Sequence, residues 1–443
     1  MTLVMKFGGS SVADAACMRQ AASLVEAALP QAPLVVLSAM GKTTNGLFES
    51  AACAERGDLV AALETAARLR AHHEDTAREL CVGVPELSEA FQELELLLRG
   101  VALLRELSPR SLDAIASFGE RLSTRIFAAF TGAEWLDART VLRTDARFGE
   151  AQPDAQAIQH LTQMHLRPLL SAGRAVVTQG YIGATRDGLT TTLGRGGSDY
   201  SAALFGAALG ADEVQIWTDV EGILSADPRV VPGALPIPEL GFAEAAELAA
   251  FGAKVLHPAT IQPAVDANIP VTVRHTARPQ GRFTTISGEV ATGRAVTALA
   301  SRGPVTILTV SSTRMLAQSG FLARLFEVFG RHGVSVDLVA TAEVSVSLTV
   351  EADAPIEALM RELSAFAVVK ASEERAILAV VGERLKRTPG ICARIFSALR
   401  DVNVEMISMG ANEINLSLAV RREDADEAMR RLHHALIEQG GGA

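Results

Sequence analysis

Three segments in residues 303–350, "GPVTILTV", "GFLARLFEVFGRHGVSVDLVA" and "EVSVSLTV", return later as "RAILAVVG", "GICARIFSALRDVNVEMISMG" and "EINLSLAV". Gly320 aligns with Gly390 and Glu343 with Glu413, a constant offset of 70 residues. Each copy predicts strand, helix, strand, strand, and the later strands alternate with period two. Two copies describe a duplicated small α+β module, because a solenoid needs three or more units to bury its core. Such a pair serves either as an oligomerisation domain or as a ligand sensor, and the repeat alone does not choose between them.

The chain before the repeat reads differently. Leu3–Lys6 is a short apolar strand, followed by a glycine turn and an alanine-rich helix over 14–29. "APLVVLSAM" predicts a buried strand, followed by a loop at "GKTTNG". Residues 47–107 read as nearly continuous helix, interrupted at "CVGVPEL", and another helix starts at Ser111. "RAVVTQG", "EVQIWTDV" and "IPVTVRH" are further strands, with a helix after "GGSDY" that stops near Gly210. Strands alternating with helices predict a mostly parallel sheet covered on both faces, a three-layer α/β/α domain over 1–290. The stretch "HTARPQGRFTTISGE" is its exit, and the two repeat modules follow at 300–375 and 376–443.

Composition narrows the function. A net charge of −10 argues against nucleic acid and against an anionic membrane as partners. No apolar run approaches the length of a membrane span, and no signal core follows the N-terminus. The four cysteines at 17, 53, 81 and 392 form no CxxC pair and read as reduced thiols, which points to the cytoplasm.

Two glycine-rich loops carry the chemistry. "KFGGSS" matches neither the nucleotide P-loop nor the dinucleotide fingerprint, since Lys6 precedes its glycines. Even so, Gly8 and Gly9 sit between strand and helix, where backbone N–H groups approach an anion closely, and Lys6 adds a charge there. In "TTTLGRGGSDYSAAL", three glycines surround Arg195, and Ser198 and Asp199 lead into a helix. That is a second anion cradle, with a planar fork for a carboxylate or phosphate. Each loop by itself is also consistent with a tight turn or a capped helix; together they suggest two anionic substrates.

"KFGGSSV", "FGERLS", "QGYIG", "TTTLGRGGSDYSA", "WTDV", "DPRVV" and "FGAKVLHP" occur in this order, and with them the chain resembles the aspartate kinase family, most closely its monofunctional, lysine-inhibited type. The resemblance covers nearly the whole chain. It implies an amino-acid kinase domain that phosphorylates aspartate with ATP, followed by two ACT modules of ferredoxin-like βαββαβ form, one of which the family allows to be inserted in the other. In such a reaction a substrate carboxylate oxygen attacks the γ-phosphorus directly, so the protein supplies alignment and positive charge and no nucleophile.

The resemblance implies roles for individual residues. Lys6 stabilises the transferring phosphoryl group, with Gly8, Gly9 and Ser10 beside it. Asp199 holds the lysines in register or orients the metal-bound phosphates. Glu120 meets the substrate ammonium and Arg195 its α-carboxylate, with Thr44, Ser198 and Tyr181 completing the pocket; most relatives have phenylalanine at the Tyr181 position. The nucleotide lies near Thr218, Asp219, Arg229 and Lys254, and Leu224 stands where relatives often carry tyrosine. Mg2+ arrives with ATP, and no all-protein metal cage is expected. His257 in "VLHP" reads as structural.

The same resemblance places an effector, lysine, between ACT modules of two subunits, at Met315, Phe321, Leu322, Val336, Asp337 and Glu343. Asp337 and Glu343 would take the ammonium groups. Ala342 and Gln318 depart from the lysine-sensitive pattern, so another effector stays open. Edge strands of such modules favour side-by-side pairing into a homodimer or homotetramer. Two other functions are compatible with the fold: a kinase for a different acidic amino acid, and a non-catalytic amino-acid sensor. The presence of Lys6, Glu120, Arg195 and Asp199 speaks against the second.

Overall fold

The computed structural model describes residues 2–252, 258–288, 293–315, 319–410 and 412–439. The chain divides into two compact units. The first comprises Met1–Ile223, Pro238–Phe242 and Val255–Val290, and the second comprises Leu224–Ile237, Ala243–Lys254 and Ala291–Ala443. The sequence reading assigned 1–290 to one domain; two stretches of that span, 224–237 and 243–254, belong to the second unit.

The first unit is built on an eight-stranded sheet. Its strands are β1 (Leu3–Phe7), β2 (Leu34–Leu37), β3 (Glu134–Leu136), β4 (Val176–Gln179), β5 (Glu213–Thr218), β6 (Glu239–Gly241), β7 (Val271–His275) and β8 (Thr284–Ser287). Their order is β6-β8-β7-β5-β1-β2-β4-β3. All neighbours run parallel except β7 and β8. β1, β2 and β4 are buried along their whole length, which explains why they read as unbroken apolar runs and not as alternating ones.

Helices cover this sheet. The one over Ala15–Ala28 starts where the Asp14 carboxylate accepts the Cys17 N–H at 2.8 Å, a side-chain N-cap. The predicted long helical stretch resolves into Thr43–Glu55, Leu59–Glu79 and Glu86–Leu104. Gly57 (φ 81°) and Cys81 (φ 58°) adopt left-handed backbone at the two breaks. The expected loop "GKTTNG" is a loop only at its start, because the helix already begins at Thr43. Tertiary packing overrides the weak local signal of Asn45 and Gly46 there: a Cβ on Gly46 would lie 3.0 Å from Leu69 of the next helix.

The second unit carries a six-stranded antiparallel sheet of β9 (Ala298–Ser311), β10 (Val339–Thr341), β11 (Ser345–Glu351), β12 (Val368–Val381), β13 (Met406–Met409) and β14 (Asn415–Arg421). Their order is β10-β11-β9-β12-β14-β13. The two repeat modules are therefore not separate beads. β9 and β12 are both 14 residues long, and each runs through both modules. The 305–311 half of β9 pairs with β11 and with 368–375 of β12, while its 298–302 half pairs with 377–381. The second module thus takes its outer strand from residues that precede the first, a pairing that strand patterning alone does not reveal. The register shifts between Arg302 and Val305, where Pro304 has no N–H to give the ladder.

Each module has its own core: Leu308, Leu325, Phe329, Leu348 and Leu359 in one, Leu378, Ile395, Leu418 and Leu432 in the other. Leu348 is fully buried. Leu348→Ala is expected to lower stability by about 2–5 kcal/mol through lost transfer energy and the residual cavity, read as a drop in the urea midpoint.

Candidate functional site

The parallel strands end together, and ligands of open α/β sheets bind outside such carboxyl ends. The register sets Phe7 beside Leu37 and Trp217. The turns after β1 and β2 and the helix Gly197–Leu209 surround one cavity of about 550 Å3, which lies wholly in the first unit. Lys6, Gly9, Thr44, Glu120, Tyr181, Arg195, Ser198 and Asp199 all line it. The two glycine loops, almost 190 residues apart in sequence, thus face one space.

Lys6 points from the end of β1 and is 8% exposed. Its Nζ lies 2.7 Å from Asp199 Oδ1. Asp199 stands in the first turn of the helix Gly197–Leu209, whose N-cap is Gly196 at φ 73°. Helix N-termini favour negative charge, so this end suits both the Asp199 carboxylate and an incoming anion.

Glu120 lies in the helix Phe118–Thr131 and is 3% exposed. One carboxylate oxygen accepts the Ala39 N–H at 3.1 Å, and the other is buried without a hydrogen-bond partner among the described residues. Burial pushes this carboxyl up to about 8, against lesser downward pulls from the Ala39 N–H and from Lys6. A half-satisfied buried carboxyl facing a cavity is suited to a cationic group of a ligand. Arg195 by contrast is exposed at the rim and has no ion pair among the described residues.

Close backbone approach shapes the walls. A Cβ on Gly9 would lie 3.0 Å from the Ala39 carbonyl, one on Gly119 2.7 Å from the Ala39 Cβ, and one on Gly180 2.6 Å from the Ser198 Cβ. Tyr181 has φ 65°, a left-handed conformation that side chains rarely adopt, and burial pushes its phenol up to about 12. Its N–H donates to Ser201 Oγ at 2.9 Å and its carbonyl accepts the Leu193 N–H at 2.9 Å, which ties the turn at Tyr181 to both sides of the Arg195 loop.

Several proposed residues lie elsewhere. The Gly8 N–H donates to the Trp217 carbonyl at 3.0 Å, so it is not available to a phosphate; Gly9 is the glycine of this pair that lines the cavity. Ser10 is exposed outside the lining. Thr218 ends β5, and its hydroxyl donates to Asp219 at 3.1 Å. Arg229 belongs to the second unit, and Asp227 takes its guanidinium at 2.6 Å. Lys254, His257 and Gln318 lie outside the described residues.

Sequence reasoning missed Asp113. This 2%-exposed carboxylate accepts from Gly149 N–H at 3.0 Å and from the Thr192 N–H and hydroxyl at 2.9 and 2.8 Å. It thereby fixes Gly149, a lining residue, to the strand that feeds the Arg195 loop. In "SLDAIASF" it reads as an ordinary helix-surface acid, and no local signal marks it.

In the second unit, Phe321 packs edge-on against Phe366 with ring centroids 5.7 Å apart, and Met315 and Val336 pack on the same core. Leu322 and Glu343 are exposed. Asp337 is already engaged: Arg302 lies 2.9 Å from its Oδ1, while its Oδ2 is buried without a partner among the described residues. Burial raises its carboxyl above the usual range despite the arginine.

Known proteins share this organisation. The amino acid kinase family matches residues 1–275, and the ACT domain matches 308–361 and 378–436. The chain is 40% identical to the lysine-sensitive aspartokinase 3 of Escherichia coli, over 98% of this chain and 99% of that protein. It is also 40% identical to the chloroplastic aspartokinase 3 of Arabidopsis thaliana, over 99% of this chain and 82% of that one. The crystal structure of E. coli aspartokinase III in complex with aspartate and ADP, an R-state, superimposes with a TM-score of 0.85 over 98% of this chain and all of that one. The T-state structure of that enzyme with lysine and aspartate gives 0.82, over 98% and 99%. Likeness of this extent in sequence and in fold places the chain in the aspartokinase family.

Proposed function

We propose that this protein transfers the terminal phosphoryl group of ATP to the side-chain carboxylate of L-aspartate, giving 4-phospho-L-aspartate, the first step toward lysine, threonine and methionine. The observation that carries the reading is the convergence of Lys6, Asp199, Glu120 and Arg195 on one cavity. Relatives at 40% identity are aspartokinases, and one of them has been solved with aspartate and ADP.

The chemistry follows from charge. A carboxylate oxygen of aspartate attacks the γ-phosphorus in line, and the protein holds the two anions together. Lys6 faces the transferring group and offsets its charge, while Asp199 fixes the ammonium at the end of β1. The free oxygen of Glu120 receives the substrate ammonium, and Arg195 closes on the α-carboxylate as a planar fork. Thr44, Ser198 and Tyr181 border the same substrate. The nucleotide extends past Gly9 toward Thr218 and Asp219 of the same unit.

Mg2+ enters with ATP and spreads the phosphate charge. Mg2+ commonly keeps several waters and is bound largely through substrate phosphates, so when bound it would be held mainly by the ATP it accompanies. Feedback control by lysine falls to the first ACT module. There the unpartnered Asp337 oxygen is the acceptor for an ammonium, and Glu343 offers a second carboxylate. Pairing of these modules gives a homodimer or homotetramer working in the cytoplasm. No helix among the described residues is long and apolar enough to cross a membrane.

The test is an ATP-dependent hydroxamate assay with aspartate, with glutamate as competitor substrate, and with or without lysine and threonine. Wild-type protein is expected to give product with aspartate; signal no higher than a no-enzyme control would overturn the reading. Lys6→Ala is expected to lower kcat by roughly two orders of magnitude or more, about 3 kcal/mol of transition-state stabilisation.

Glu120 gives a pH signature. At pH 7 the empty site holds mainly the neutral acid, since its carboxyl titrates near 8. A bound ammonium favours the carboxylate, so a proton leaves as aspartate binds. Calorimetry in buffers of different ionisation enthalpy should find release approaching one proton at pH 6–7, vanishing well above 8 and absent in Glu120→Gln. The same upward shift makes the empty enzyme's Glu120 contribution to stability full below the unfolded value of 4.5 and lost as pH rises through about 8.

Gly180 gives a steric one. A methyl there displaces Ser198 or the chain that carries it. Gly180→Ala should raise KM for aspartate and lower kcat, together costing roughly tenfold or more in kcat/KM, with little change in the circular dichroism of the folded protein.

A further inference from the structure

The second unit holds a cavity of about 680 Å3, larger than the substrate cavity, for which the proposed reaction has no use. Arg294, Arg384, Arg387 and Arg394 line it, and among the described residues no acidic one does. That is a marked concentration of positive charge in a chain with net charge −10. Leu235, Ile237 and Leu436 form an apolar wall beside the arginines. The segment 224–237 is firmly seated there: the Ser225 hydroxyl bonds His433 Nε2 at 2.8 Å and accepts the Leu235 N–H at 2.8 Å, and the Ser225 carbonyl accepts the Leu299 N–H at 2.8 Å.

Arg384, Arg387 and Arg394 keep donors to spare among the described residues. Glu413 takes one side of Arg387 at 2.7 Å, and Arg394 gives one N–H to the Ala435 carbonyl at 2.8 Å. Arg384 has no ion pair among the described residues. The helix Ile391–Ala398 begins just past Pro389, a lining residue, and adds the positive end of its dipole. By the repeat offset, this loop is the second module's counterpart of the loop that carries Met315 and Phe321 in the first. The counterpart of Asp337 is Ile407, so the second copy has lost that acid for an ammonium.

We propose that this cavity is a second ligand site, specific for an organic phosphate. The phosphate sits on Arg384 and Arg394, whose planar forks match its oxygens, and the organic body lies against Leu235, Ile237 and Leu436. A cavity of this volume accommodates a molecule of nucleotide size.

The experiment titrates the full-length protein with inorganic phosphate and with adenosine 5′-monophosphate by calorimetry, alongside Arg384→Gln/Arg394→Gln and the charge-reversed Arg384→Glu/Arg394→Glu. The wild type should show a component that weakens with salt, binds the nucleoside phosphate at least tenfold more tightly than inorganic phosphate, and is weakened at least tenfold in the glutamine double variant. KM for ATP and for aspartate should stay unchanged in that variant, which separates this site from the catalytic one. Identical binding in wild type and the glutamine variant, no component beyond the catalytic site, or equal affinity for the two phosphates would overturn the proposal. If the charge-reversed protein misfolds, the glutamine variant decides alone.

Discussion

The Lys6–Asp199 ion pair is the contact on which the catalytic unit is organised. Its side chains are 10% and 16% exposed, so both charges have lost most of their water. Removing either partner would leave an uncompensated charge in a site that resists it. The pair also joins what the chain order separates. Lys6 ends a central strand, and Asp199 opens a helix that follows β4 and a short hairpin. Parallel register brings the end of β1 level with β2 and β5, so the amine can arrive only where the second glycine loop already stands.

Short distances around that pair depend on residues with no side chain. Gly9, Gly119, Gly180 and Gly197 each lie where a Cβ would fall within about 3 Å of another segment. Two of them, Gly180 and Gly197, press against Ser198 and Tyr181, which themselves border the cavity. Tyr181 keeps its unfavourable φ because hydrogen bonds at both its N–H and its carbonyl leave no relaxed alternative. The walls are therefore held by backbone as much as by side chains, and a site for two anions needs such rigidity: donors that could turn away would have to be reoriented in each turnover.

How far the sequence disclosed this depends on the range over which each feature is determined. The buried strands and both glycine loops are local, written in runs such as "LVVL" and "GRGGSD", whereas the Lys6–Asp199 contact joins residues far apart in the chain, and the loops by themselves suggested only two anionic substrates. The helix at Thr43 was misread because Asn45 and Gly46 are turn formers by themselves, while Leu69 in the next helix decides the outcome. Gly8 was assigned a phosphate contact because its neighbours suggested one, but its N–H is spent on Trp217, more than 200 residues away. Asp113 was invisible for the same reason: all its partners lie at 149 and 192. The repeat found β9 and β12 but not that each serves two modules, since a repeated strand pattern says nothing about which strand becomes its neighbour.

That sharing of strands bears on regulation. Arg302 stands at the register shift of β9, beyond which the strand leaves the first module and pairs with 377–381 in the second. The acid that holds Arg302 is Asp337, which belongs to the first module's candidate effector site. Glu351, at the end of β11, holds the same guanidinium. An ammonium arriving at the unpartnered Asp337 oxygen therefore competes for a carboxylate already committed to the junction of the two modules. That pair stands where β9 passes from one module to the other. Because β9 and β12 are continuous through both halves, the hydrogen-bonded ladder offers no loose joint to absorb such a change apart from the irregular stretch at 302–307. The two modules thus share one continuous hydrogen-bonded ladder, and the Arg302–Asp337 pair stands at its irregular stretch.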